Sequence, residues 1–344
     1  VPAVRLNSSQ PKRSSATDVV TIEASLADQS GGIGRAEWRI NGITVGVVDR
    51  PGTTLKQKMV LDPGDNSVAL VVYNGATLVA SRPAQAKITW NGAEPTTRPR
   101  LCVLVAAINK HVDGALELTY AVPDAKAIAA AFQEAGRGHY EDVDVTFALD
   151  ADVTVSKLDR IFSALAGKVR PRDVFVFFPA AHGKTLDGRY YMAPHDFIYQ
   201  SEQSLLRSAI GQDQLQKWFS SNAAKKAVLM FDTCEAGTLA TAQRVAARGL
   251  EQKAALGRLI QATGRATLTA TTSTQDSWEG YRGHGVFAYA VLDALARGDL
   301  NGNGLIELAE LIQDIDGLMP AIAEKLSGAI ETEAEQQRPL QVRT

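Results

Sequence analysis

The sequence predicts a small all-β sandwich followed by an α/β domain, whose mostly parallel sheet is covered by helices on both faces. Three observations predict this. Residues 19–73 alternate apolar and polar positions between regularly spaced turn signals. Asn91-Gly-Ala-Glu-Pro-Thr-Thr-Arg-Pro-Arg100 carries two prolines, a glycine and no apolar periodicity, as a linker does. From Leu101 onward, continuous apolar runs alternate with helical stripes, the pattern of a parallel sheet. The expected division is 1–95 for the sandwich, taken as Ig-like, and 96–344 for the α/β domain.

Residues 1–17 are polar and read as an irregular lead-in. Val20, Ile22, Ala24 and Leu26 then fall on one face of a strand, with Thr21, Glu23 and Ser25 on the other. Glu37–Ile40 and Ile43–Val48 flank Asn41-Gly42, a strong hairpin signal because both turn residues tolerate positive φ. Asp62-Pro-Gly64 and Asn74-Gly75 bracket a further strand, Ser67–Tyr73. Trp38 and Trp90 are expected to fill the core or an interface.

In the second part, Leu101–Ile108 is an unbroken apolar run, a strand buried on both faces. Asp124 is expected to cap a helix carrying Ala125, Ile128, Ala129 and Phe132. Val143–Phe147 is the next strand, and Val155, Leu158, Ile161, Phe162 and Leu165 mark the next helix. Apolar strands follow at 174–183 and 227–237, a helix at about Gln252–Ala262, a strand at Ala266–Ala270 and a helix at Val286–Ala296.

Composition narrows the function classes. Charged residues make up 22% of the 344 residues and the net charge is −2, which suggests neither a nucleic-acid footprint nor a membrane-surface patch. No apolar run is long enough to span a bilayer, and there is no secretory apolar region. Cys102 and Cys234 are read as free thiols of a reducing, cytoplasmic compartment. The chain starts with Val, not Met, so a longer or processed parent is expected, whose N-terminal part would carry targeting or partner binding.

Chemistry concentrates in two segments, Val174-Phe-Val-Phe-Phe-Pro-Ala-Ala-His-Gly183 and Ala227-Val-Leu-Met-Phe-Asp-Thr-Cys-Glu-Ala-Gly237. Open α/β sheets collect reactive groups at the carboxyl ends of their strands. Adjacent parallel strands ending this way would bring the imidazole of His182 to the thiol of Cys234. A thiol beside an imidazole is activated by proton transfer and attacks a carbonyl. Backbone N–H groups at Gly183 and Cys234 would hold the developing oxyanion. Taken singly, a buried cysteine is ordinarily a small apolar residue; the paired positions favour chemistry. His111, His139, His195 and His284 read as surface or loop residues, His284 nearest the cleft.

These segments resemble the caspase-like cysteine peptidases, specifically the prokaryotic metacaspase-like (orthocaspase) branch, over about Leu101–Gln341. Cys234 follows His182 by 52 positions, similar to the caspase separation of about 50. Phe177-Phe-Pro-Ala-Ala-His-Gly183 looks like the family's strand and Gly-His-Gly, with Ala181 for the first glycine and Pro179 unusual before it. Asp232-Thr-Cys-Glu-Ala-Gly237 looks like Asp-Ser-Cys-x-Ser-Gly. Ala106–Lys110, Tyr120–Ala125 and Gly283–Tyr289 resemble further family segments. The resemblance implies a cysteine endopeptidase with His182 as base and acid and Cys234 as nucleophile. It implies Asp232 in the primary pocket, which favours Arg or Lys at the cleaved position. Asp276 and Glu279 are weaker pocket candidates. The alternative is a catalytically silent caspase-like scaffold that uses the β-sandwich as its partner surface.

Asp299-Leu-Asn-Gly-Asn-Gly-Leu-Ile-Glu-Leu-Ala-Glu310 fits the calcium-loop pattern. Its ligands would be Asp299, Asn301, Asn303, the Leu305 carbonyl, Glu307 directly or through water, and bidentate Glu310; calcium is the candidate ion, and no cofactor is required for chemistry. Arg244, Arg248, Lys253 and Arg258 lie in 238–264, where a peptidase with basic specificity would cut itself.

Overall fold

A computed structural model describes residues 1–7, 17–93, 96–235, 263–269, 280–303 and 305–336. The N-terminal region is two antiparallel sheets. One has the order β1-β2-β5 (Ala3–Leu6, Val19–Ala27, Thr54–Val60). The other has the order β4-β3-β6-β7 (Ile43–Asp49, Ile33–Ile40, Gly64–Asn74, Ala84–Trp90). Ile22, Ala24, Leu26 and Met59 of the first meet Trp38, Ile40, Val68 and Leu70 of the second in one core. Trp38 is fully buried and Trp90 packs at the margin, as expected. Asn41 and Gly42 both adopt positive φ, so β3 and β4 close on the predicted tight turn. The lead-in is not wholly irregular. Ala3–Leu6 pairs with Ala24–Ala27 as an edge strand, too short for a periodicity to be read from it.

The third sheet, in the α/β part, has a parallel body in the order β9-β8-β10-β13-β14. These strands are Val143–Leu149, Leu101–Ala107, Val174–Leu186, Lys226–Glu235 and Ala266–Thr269. Two short antiparallel strands, β11 (Arg189–Met192) and β12 (Ile210–Gly211), extend it, so the sheet is mixed. The apolar runs of β8 and β10 are buried on both faces. Helices α2 (Val155–Lys168) and α4 (Gln212–Ser221) cover one face with Phe162, Leu165, Leu215, Trp218 and Phe219. Helices α1 (Ala121–Ala135), α5 (Val286–Arg297) and α6 (Leu308–Gln336) cover the other. A short helix, α3, spans Glu202–Ser208. The helix expected at 252–262 lies outside the described residues.

The β-region is fastened to the α/β part by charge pairs. Arg35 donates to Asp213 and Gln216 of α4, Lys217 reaches Asp49, and Lys225 reaches Asp62. Among the described residues no helix is long and apolar enough to cross a membrane.

Candidate active site

Strand β10 outruns its neighbour β8. Val174–Ala180 pairs with Leu101–Ala107, and from Gly183 the same edge of β10 pairs antiparallel with β11. His182 sits at this change of partner, the kind of crevice in which open α/β sheets bind ligands. It is 8% exposed. Its Nε2 lies 2.9 Å from the Leu116 carbonyl oxygen. A carbonyl only accepts, so Nε2 carries the proton and Nδ1 keeps its lone pair. Nδ1 is buried and meets no hydrogen-bond partner among the described residues. Burial holds the His182 pKa below the ordinary histidine value, and the Leu116 carbonyl opposes that only in part. The group is therefore a neutral imidazole with a base nitrogen available near pH 7.

Leu116 ends a single 3-10 turn, Gly114–Leu116, capped by Asp113. Asn109 ties the surrounding loop down: its amide donates to the Thr119 carbonyl and its oxygen accepts from Val122 N. Asp150 accepts from the backbone N–H groups of Asn109 and Lys110. His111, expected at the surface, is instead 5% exposed, with its ring 5.4 Å from that of His182. Burial, the neighbouring His182 and a weak contact to the Pro194 carbonyl leave its pKa at about 4. It stays uncharged, so it does not oppose an imidazolium at His182.

Strand β13 lies beside β10 in parallel, and His182 and Cys234 are ladder partners. The 52-residue separation in sequence is the strand register itself, since Val174 pairs with Lys226 by the same offset. Pro179 is buried within β10 and opposite Ala106. A proline cannot donate to a ladder. The pairing of β10 with β13 is interrupted at positions 178–179 and resumes at Ala180–Asp232. Gly183 has a packing role: a Cβ there would stand 3.0 Å from the Tyr190 ring and 3.2 Å from Thr233 Cβ.

Asp232 is half-buried two residues before Cys234. Its Oδ2 lies 3.7 Å from where a Cβ on Gly285 would stand, and Asp124 Oδ2 lies 3.2 Å from the same point. Two carboxylates thus converge on one glycine at the start of α5. Asp124 does not cap α1. The helix begins at Ala121, and Asp124, inside its first turn, is 1% exposed. It accepts from Gly285 N and meets His284 Nδ1 at 2.5 Å. Burial raises its pKa against the lowering effects of the Gly285 amide and His284. His284 thus sits beside Asp124 at the start of α5, and His195 Nδ1 bonds the Lys110 carbonyl. Asp276 and Glu279 lie outside the described residues, as do 236–262 with their four basic residues.

In the 299–310 loop, Asp299 Oδ1 accepts from Gly302 N and Asn303 N. Glu310, 8% exposed, accepts from Asn301 N and Glu307 N. Asn303 accepts from Leu305 N and donates to Glu307. Among the described residues, no three of His, Cys, Asp and Glu group as a metal cluster. Cys102 is free and buried on β8, its thiol pushed up to about 11 by burial and by Asp173.

Sequence reading missed Leu116, His111 and the true position of Asp124. A backbone carbonyl has no residue signature. His111 and Asp124 lie in segments whose apolar pattern spoke only for strand and helix.

A family model described as a caspase domain matches residues 99–343. No curated protein matches the chain. Among solved structures, fibronectin(III)-like modules of Clostridium thermocellum CbhA are 22% identical with TM-score 0.24, covering 27% of this chain and 100% of that one. A structural-genomics protein from Geobacter sulfurreducens is 16% identical with TM-score 0.43, covering 63% and 88%. The Drosophila initiator caspase Dronc is 14% identical with TM-score 0.37, covering 57% and 65%.

Proposed function

Because the chain belongs to the caspase-domain family, we propose that it is a cysteine endopeptidase with His182 as general base and acid and Cys234 as nucleophile. The observation that carries this reading is the ladder partnership of the two positions, with His182 Nδ1 left as the base nitrogen. The imidazole takes the thiol proton and the thiolate attacks the substrate carbonyl. N–H groups of Gly183 and Cys234 hold the oxyanion. The imidazolium then gives its proton to the leaving amine, and water releases the thioester.

Asp232 makes the primary pocket acidic, and the buried Asp124, bonded to Gly285 N and His284, fixes the start of α5 beside it. An acidic pocket selects Arg or Lys and repels Asp, which is the specificity of the orthocaspase branch we assign. The same specificity makes Arg244, Arg248, Lys253 and Arg258 self-processing sites. Asp299, Asn301, Asn303, Leu305, Glu307 and Glu310 are the proposed calcium set; Asp299, Glu307 and Glu310 supply its charge. Residues 1–95 are proposed as an Ig-like module that presents a surface to a protein partner, in a reducing cytoplasmic setting.

A peptide chloromethylketone ending in Arg tests the reading directly. It is expected to alkylate Cys234 rapidly, slowly in His182→Ala, and much faster than the Asp-ending analogue. Equal labelling by the two peptides would remove the basic specificity. No labelling would leave a silent scaffold. Calorimetry with calcium, on wild type and Glu310→Ala, tests the loop: binding lost in the variant is expected, and no heat in wild type removes it.

A further inference from the structure

His182 and Cys234 are ladder partners on β10 and β13, yet the ladder between these strands is interrupted at Phe178 and Pro179, three residues before the site. Directly past that break, one side chain crosses from the far strand. Tyr190 belongs to β11, where it pairs with Thr185 of β10. Its hydroxyl donates to Thr233 Oγ1 of β13 at 2.7 Å. The phenol therefore spans β10 from one flanking strand to the other. It passes over Gly183: a Cβ on that residue would lie 3.0 Å from Tyr190 Cε2, 3.1 Å from its hydroxyl and 3.2 Å from Thr233 Cβ. Tyr190 and Thr233 are 0% and 1% exposed. The ring stands edge-on to Phe231, with centroids 5.3 Å apart and planes at 74°.

We infer that Tyr190 is a positioning residue, a cross-strand strut that fixes the end of β13 against β10 through Thr233. Thr233 is the residue between Asp232 and Cys234, so the strut acts on pocket and nucleophile positions together. Both hydroxyls are buried, where losing one partner of a hydrogen bond costs more than it does at the surface, so the pair holds its geometry. Gly183 follows from the same arrangement, because the strut needs the volume that any side chain would take. The inference deepens the peptidase reading and rests on it for the roles of His182 and Cys234.

The test is the rate of Cys234 alkylation by iodoacetamide across pH, read by mass on the Cys234 peptide, beside cleavage of an Arg-containing peptide. Tyr190→Phe keeps the ring and removes one hydroxyl; Thr233→Val removes the other, and Thr233→Ser keeps it. The expected result is about tenfold slower alkylation and lower kcat in Tyr190→Phe and Thr233→Val, with KM nearly unchanged. The double variant should be no slower than the worse single one, and Thr233→Ser should match wild type. Wild-type alkylation in Tyr190→Phe, or losses that simply add and track a fall in melting temperature, would overturn the strut. If wild type cuts no peptide, the peptidase reading fails, while the alkylation series still decides the strut.

Discussion

The two edges of the parallel sheet treat their polar groups in opposite ways. At the amino-terminal edge, Asp173 is fully buried and accepts from Arg100 and Arg170 through both side chains and both backbone N–H groups. Glu141 completes the cluster through Arg170. Burial alone would raise the Asp173 carboxyl, but the two arginines bring it to about 2. The cysteine of this end, Cys102, is held as a thiol. At the carboxyl-terminal edge, one nitrogen of His182 is bonded and the other is left, His111 beside it is kept neutral, and Asp124 is raised by burial. One edge satisfies its charges and so contributes stability; the other leaves His182 Nδ1 without a partner among the described residues, as the proposed chemistry requires.

The largest effect should come from breaking the reactive edge. Cys234→Ala or His182→Ala is expected to lower peptide cleavage by at least about 1,000-fold, with a melting temperature close to wild type. A comparable loss of folding in either variant would erase the contrast. Breaking the satisfied edge should do the reverse. Asp173→Ala strands two arginines and should cost about 2–4 kcal/mol in a denaturant titration, while cleavage per folded molecule is preserved.

Acid titration sharpens the same contrast by separating two windows. His111 has a folded pKa below its unfolded value of about 6.5, so the unfolded chain binds more protons between about pH 6.5 and 4. Stability is full above that window and falls as pH drops through it, by up to about 3 kcal/mol; His111→Phe should flatten this slope. The Asp173 contribution is present above its unfolded value near 4 and is lost only as pH falls towards 2. Coincident windows for the two variants would refute the assignment. The smallest effect is a difference in reactivity: iodoacetamide at pH 8 should label Cys234 and leave Cys102 unmodified until the protein unfolds.

Much of this was legible in residues alone. The apolar run 101–108, the 3.6-residue stripe from Val155 and the Asn41-Gly42 turn each specify a local backbone with one low-energy form, and each stands as read. His182 and Cys234 were singled out because strand ends carry a visible pattern, and the structure makes them ladder partners. The short strands β1, β11 and β12, the longer strands β5 and β7 and the helices α3 and α4 were not read, because their residues alternate too weakly or too briefly to stand out from the flanking loops. His111 was misread because burial of a loop histidine depends on what packs above it, here the His182 ring.

The chain by itself determined an all-β part followed by an α/β part, the longer strands and helices with a clear apolar period, and the pair of residue types proposed for chemistry. Those depend on local patterning, which a linear sequence contains. Tertiary structure decided the rest: that a separation of 52 residues is a strand register, that Leu116 offers its carbonyl to His182, and that Asp124 meets Asp232 at Gly285. It also decided that Tyr190 bridges to Thr233 over a glycine. These are contacts between segments 43 to 161 residues apart. They exist only once the sheet has closed, because each depends on where another strand or loop comes to rest and not on the identity of its neighbours in the chain.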